Sequence, residues 1–195
     1  MSILAPTALP PLSSPTPVLR FEAALLERAR PVKVVFFDVD GILTDGGLYF
    51  SDQGETLKRF NTLDGHGLKL LQKAGIVPAV VTGRDSSPLR VRLAALGVTH
   101  CRFGTEDKGP AAQSILDTLG LGWHQAAAMG DDWPDLAMMR RAALALTTPH
   151  AHAEVKACAH HITQAPGGQG AVRECADLLT MASGHYAQLL AEAAA

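Results

Sequence analysis

An α/β fold, with a parallel sheet wound by helices on both faces, is predicted for this chain by a repeating pattern and by one interruption of it. From Val32 onward, apolar runs of strand length alternate with amphipathic stretches of helix length. The runs are nearly continuous rather than alternating, as expected of strands buried on both sides. The segment after the first run breaks the pattern and reads as a hairpin.

Residues 1–18 carry Pro6, Pro10, Pro11, Pro15 and Pro17 among serines and threonines, a composition that buries little surface and predicts a flexible tail. In LRFEAALLERAR, residues 19–30, Leu19, Ala23, Leu25 and Leu26 fall near one stripe, which predicts a short amphipathic helix. The buried strands are VKVVFF, IVPAVV at 76–81, AAAM at 126–129 and LALT beyond it. Helices are expected at about 64–74, 86–96, 107–119, 134–142 and 170–182, each long enough for a crossover between parallel strands. GGLYFSDQGETLKRF, residues 46–60, holds two short β-rich runs around a turn at Ser51 to Gly54, hence a hairpin flap. Residues 31–183 thus make one doubly wound, Rossmann-like domain, and 184–195 are expected to be a carboxyl-terminal tail.

Composition narrows the function classes. With 195 residues, 47% hydrophobic and 18% charged, the chain suits one soluble domain with a well-developed core. A net charge of -2 supplies no global basic field for nucleic acid or anionic membranes, so any anionic ligand must be captured locally. Cys101, Cys158 and Cys175 are odd in number and widely spaced, which suggests neither a disulfide framework nor a zinc site and fits a reducing cytoplasm. No stretch approaches the roughly 20 apolar residues that span a bilayer, and the first residues lack the pattern of a secretion signal.

In open parallel sheets, reactive groups collect at the carboxyl ends of the strands. The first strand is followed by Asp38, Asp40, Gly41, Thr44 and Asp45. Two carboxylates one residue apart repel unless a cation or a shared proton relieves them, and magnesium is a natural partner for such a pair. The plain alternative is an ordinary Asp and Gly turn. The second strand is followed by Thr82, Gly83 and Arg84, a hydroxyl, a permissive backbone and a guanidinium suited to phosphate. Lys108 stands at a helix start, where unpaired backbone donors reinforce its charge. Gly130, Asp131, Asp132 and Asp135 follow AAAM as a second carboxylate cluster, for which helix capping is the plain reading.

In their order, DxDGxxTDG, TGR, a lysine and GDDxxD after successive strands, these motifs resemble the haloacid dehalogenase superfamily from Val32 to about Asp177. The resemblance implies that Asp38 attacks phosphorus to form an aspartyl-phosphate, with Asp40 as acid and base. It also implies magnesium held by Asp38, Asp40 and Asp131, with the Asp40 backbone carbonyl as a ligand and with Asp132 and Asp135 around this shell. Thr82 and Lys108 would clamp the phosphoryl oxygens. A short hairpin in place of a large cap domain resembles the capless branch, which implies a homo-oligomer, commonly a tetramer, whose neighbouring subunits complete each active site.

Three longer segments, ETLKRFNTLDGHGLKLL, TGRDSSPLRVRLAALGV and GGQGAVRECAD at 167–177, resemble the 3-deoxy-D-manno-octulosonate 8-phosphate phosphatase family. That implies an Mg2+-dependent phosphatase for a lipopolysaccharide precursor in a Gram-negative cytoplasm. Asn61, Thr62, Leu63, Asp64, Gly65, Lys69, Arg84 and Arg92 would contact the sugar acid phosphate beside Asp40 and Lys108. Two positions depart from the family pattern: Lys69 and Gln169 stand where arginine is expected. They leave open a nine-carbon sugar acid (KDN or N-acylneuraminate) 9-phosphate as substrate. A catalytically silent scaffold is a third reading, against which the intact Asp38, Asp40, Lys108 and Asp131 argue. His150, His152, His160 and His161 are too irregularly spaced for a metal motif and read as surface and strand residues. Trp123 and Trp133 read as packing groups, Trp133 being near enough to Asp131 to wall the site.

Overall fold

The computed structural model describes residues 15–195, so most of the expected proline-rich tail, residues 1–14, lies outside the described residues. The chain begins its regular structure with α1 (Ala23–Ala29), β1 (Val34–Phe37), β2 (Tyr49–Ser51), β3 (Gly54–Leu57), α2 (Thr62–Lys73), β4 (Val77–Val81) and α3 (Ser87–Ala95). It continues through β5 (His100–Arg102), α4 (Lys108–Leu119), β6 (Ala126–Met129), α5 (Leu136–Met139), β7 (Leu144–Thr147), α6 (Ala153–Cys158), β8 (His161–Ile162), α7 (Ala171–Ala182) and α8 (Tyr186–Ala193).

Six strands form one parallel sheet in the order β5-β4-β1-β6-β7-β8. β1 is fully buried, and its side chains divide by the pleat between two apolar layers. Val35 and Phe37 join Leu68, Leu71, Val172 and Leu179 of α2 and α7. Val34 and Phe36 join Ile115, Leu116 and Met138 of α4 and α5. This two-sided burial explains why the strand sequences show no polar alternation. The chain leaves β1 toward β4 on one side and β6 on the other, so the strand order reverses at β1. At such a switch point the helices diverge and leave a crevice at the carboxyl ends of the strands.

The hairpin of β2 and β3 stands as its own two-stranded sheet, the flap expected from sequence, and among the described residues no large cap is inserted beside it. Several expected boundaries shift. The helix expected over 134–142 is a 3₁₀ turn at Trp133–Asp135 followed by the short α5. The strands β5 and β8 and the helix α6 were not expected; the two strands lie at the sheet edges, are short and half-buried, and carry little apolar signal. The expected tail at 184–195 is corrected too. Tyr186–Ala193 form α8, which packs on α7 and sets Leu189 against the core.

Candidate active site

The site is built where β1, β4 and β6 end. The Asp38 N–H donates to the Met129 carbonyl at 3.0 Å, extending the β1–β6 ladder by one residue and fixing the Asp38 backbone. The chain then folds back on itself, with the Thr44 N–H donating to the Val39 carbonyl at 2.9 Å. Gly41 makes this turn at φ +84, and a Cβ there would come within 2.1 Å of the Asp131 carboxylate. Only glycine meets both demands, the backbone angle and the space. Gly130 is constrained by space alone, since a Cβ would lie 2.2 Å from the Asp135 side chain.

Lys108, the first residue of α4, is buried between two carboxylates. Its Nζ lies 2.7 Å from Asp38 Oδ1 and 2.7 Å from Asp135 Oδ1. Asp135 Oδ2 accepts the N–H groups of Asp131 (3.0 Å) and Asp132 (3.2 Å), so its carboxylate is spent on orienting the loop and the lysine. Oxygens of Asp38, Asp131 and Asp135 all lie within 4.8 Å of one another. Burial, and then the neighbouring Asp135, push the Asp38 carboxyl up to about 6 against the opposing pull of Lys108. Burial, and then Asp38 and Asp135, push Asp131 up to about 7. For Lys108 the desolvation that would lower its pKa is outweighed by Asp135 and Asp38, and the net shift is upward. Three carboxylates around one ammonium are short of positive charge, and their hard oxygens fit a divalent cation.

The Asp40 side chain turns the other way. Its Oδ1 is ion-paired with Lys58, and its Oδ2 lies 3.4 Å from Arg84 Nε. The Asp40 carboxylate thus lies outside the acidic cluster, which leaves the backbone carbonyl as the group of Asp40 expected to meet a metal. Thr82, buried after β4, accepts the Arg84 N–H on its hydroxyl at 3.3 Å, which leaves the hydroxyl hydrogen free to donate. Asp38, Asp40, Thr82, Arg84, Lys108 and Asp131 line one cavity of about 280 Å³, together with Glu106 and Asp132.

A family model described as haloacid dehalogenase-like hydrolase matches residues 104–173. The chain is 39% identical to the 3-deoxy-D-manno-octulosonate 8-phosphate phosphatase KdsC of Yersinia pestis over 158 residues, 81% of this chain and 84% of the relative. It is 36% identical to the enzyme of the same name from Escherichia coli over 162 residues, 83% and 86% of the two chains. The chain belongs to this phosphatase family, within the haloacid dehalogenase-like hydrolases. A family structure from Moraxella catarrhalis, in complex with magnesium, phosphate and KDO, superposes with a TM-score of 0.84 at 35% identity, covering 87% of this chain and 97% of that one.

The expected substrate contacts divide into two groups. Arg84 reaches the cavity, whereas Asn61, Thr62, Leu63, Asp64, Gly65, Lys69 and Arg92 are absent from its lining. Asn61 caps α2, accepting the Leu63 N–H at 2.8 Å. Thr62, Leu63 and Lys69 are exposed on α2. Gly65 is buried under the Arg92 guanidinium, whose Nε has no hydrogen-bond partner among the described residues. Asp64 is buried, and accepts the N–H groups of Gly170 (3.2 Å) and Arg173 (2.9 Å) at the start of α7. The structure gives the Asp64 carboxylate a structural role, tying NTLDG to the GGQG segment. That segment in turn packs on the turn after β1, with the Gly168 N–H donating to the Ile42 carbonyl at 2.9 Å.

Asp64→Asn, which can cap with one oxygen only, is expected to cost about 1–2 kcal/mol, the scale of a helix cap. At about 2–4 °C per kcal/mol, calorimetry would register a Tm loss of several degrees, with KM for substrate within about threefold of wild type. A raised KM with unchanged Tm would return Asp64 to the substrate.

The four histidines do not gather. His152 Nδ1 accepts the Trp133 indole N–H at 3.0 Å, His160 Nδ1 accepts the Ala145 N–H at 2.9 Å, and His161 pairs with Glu174. Trp133 lies edge-on to His152, 59% exposed, and does not line the cavity, while Trp123 packs against Phe36. Sequence reasoning missed Lys58 and Glu106. The signal for Lys58 was its place in LKRF, where the exposed hairpin returns to the body.

Proposed function

We propose that this chain hydrolyses 3-deoxy-D-manno-octulosonate 8-phosphate to 3-deoxy-D-manno-octulosonate and phosphate, with magnesium as cofactor and Asp38 as nucleophile. The observation that carries the reading is Lys108 bridging Asp38 and Asp135 beside Asp131 at the switch point, in a chain 36–39% identical to phosphatases of that name.

Asp38 attacks phosphorus, forming a carboxylate–phosphorus bond as the bond to the sugar oxygen breaks, and Asp40 gives that oxygen a proton. Asp40 then takes a proton from water as the water attacks phosphorus, breaking the bond to Asp38, which leaves as a carboxylate and frees phosphate. Lys108 and the Thr82 hydroxyl hold the phosphoryl oxygens, and Asp135 keeps Lys108 and the Asp131 loop in place. Asp38, Asp131 and the Asp40 backbone carbonyl would hold magnesium, whose charge would let an anionic nucleophile meet an anionic phosphate. Arg84, beside Asp40 at the cavity, is the residue of this chain placed to meet the sugar acid.

The same reading makes the protein a homotetramer. Tyr49 (45% exposed), Phe50 (61%) and Leu57 (55%) leave the flap with apolar surface that a second copy would cover. The absence of Asn61, Thr62, Leu63, Gly65, Lys69 and Arg92 from the lining of their own cavity supports a contribution to a neighbour's site. Among the described residues no helix is long and apolar enough to cross a membrane, and the reading places the protein in a Gram-negative cytoplasm.

The test is magnesium-dependent phosphate release from the octulosonate ester beside nine-carbon acid 9-phosphates and hexose phosphates. Preferential turnover of the octulosonate ester is expected. Preference for a nine-carbon ester would move the substrate, and absence of turnover of every ester would sink the reading.

Magnesium is also expected to stabilise the protein in a pH-dependent way. Asp38 and Asp131, raised to about 6 and about 7, favour the folded state when protonated. That contribution is full below the ordinary carboxylate range and is lost as pH rises through those values. A divalent cation restores it above them. The Tm gain on adding magnesium should therefore be several degrees at about pH 8 and small at about pH 5, by linkage. An equal gain at both pH values would contradict the assignment of these carboxylates to the metal.

A further inference from the structure

Lys58 follows β3 directly, and its side chain has no exposed surface although the hairpin before it is open to solvent. A buried ammonium is tolerated only when paired, and here the partners are Asp40 Oδ1 and, at 3.0 Å, Glu55 Oε1. The Thr44 hydroxyl lies 3.4 Å from the same Asp40 oxygen. Oδ1 is therefore engaged from the hairpin and from the catalytic turn. Oδ2 lies beside Arg84, on the side of the cavity.

We propose that Lys58 is a positioning residue for Asp40: it pins Oδ1 and so leaves Oδ2 as the oxygen that exchanges a proton with the leaving group and with water. The inference rests on the phosphatase reading. An unpinned carboxylate at this position has a competing attraction, the divalent cation beside Asp38 and Asp131, and a carboxylate bound there would be lost as an acid. Lys58 keeps the Asp40 side chain out of that cluster. Because Lys58 belongs to the flap, the seating of the flap and the aim of the acid become one event. A two-stranded hairpin has little stability by itself, so its buried lysine is also its anchor.

The experiment compares Lys58→Met, Lys58→Gln and Lys58→Arg with wild type on two esters, the sugar acid phosphate and 4-nitrophenyl phosphate. The first leaves as an alkoxide and needs an acid, whereas the second leaves as a stabilised phenolate and does not. Lys58→Met and Lys58→Gln are expected to lower kcat for the sugar ester by about tenfold or more with KM within about twofold, and for the aryl ester by less than about threefold, the scale of a misaimed general acid. Lys58→Arg, which keeps the charge, should recover most of the loss. Lys58→Gln is close in length and neutral, and it serves where Lys58→Met does not fold. Equal losses on both esters in a folded variant, or no loss on either, would overturn the inference. Absence of wild-type turnover would instead overturn the phosphatase reading.

Discussion

Asp38→Asn is expected to abolish phosphate release, lowering kcat by roughly four to six orders of magnitude, the scale seen when a covalent nucleophile is removed. The amide nitrogen cannot attack phosphorus, and the remaining Asp38 oxygen no longer carries charge. The fold should survive. Lys108 keeps Asp135 as partner at 2.7 Å, and the loss of one buried carboxylate relieves the repulsion that helps to raise Asp131. Steady-state phosphate release and a melting curve, taken on the same preparation, check both halves. Retention of more than about one-hundredth of wild-type kcat would remove Asp38 from the nucleophile's role.

Lys108→Met should damage stability and activity together. The lysine side chain is 4% exposed and lies between Asp38 and Asp135, so solvent screens the trio little. Removing the cation leaves two buried carboxylates with their mutual repulsion, a loss of about 3–5 kcal/mol by analogy with broken buried pairs. At about 2–4 °C per kcal/mol, Tm falls by roughly 6–20 °C. The fall should be smaller at about pH 5 than at about pH 8. Asp38, raised to about 6, is already largely protonated at the lower pH, and a neutral carboxyl does not need the lysine. Where the variant folds, loss of the donor to the phosphoryl oxygens should lower kcat by about 10²–10³-fold. A Tm within about 2 °C of wild type at both pH values would show that the trio is not held by charge.

The strands β1, β4, β6 and β7 and most of the helices were legible because burial on two faces selects unbroken apolar runs, and because crossover helices need length. The side chains that line the candidate site were legible for a related reason. Chemistry in a parallel sheet sits where strands end, so Asp38, Thr82 and Asp131 follow apolar runs directly. β5 and β8 escaped notice because edge strands of two or three half-buried residues carry no such run.

The sequence by itself determined the order of the core strands and most of their crossover helices, and it placed carboxylates and phosphate-suited side chains directly after those strands, since each depends on residue type and on neighbours a few positions away. Only the tertiary structure decided which groups spend themselves on one another. Asp40 turns to Lys58 and Arg84 while Asp38 and Asp131 face Asp135 and Lys108. The Asp64 carboxylate caps a helix that begins more than a hundred residues later. Hydrogen bonds and ion pairs between such distant positions are set by where the sheet carries them, and no local pattern of residues records that placement.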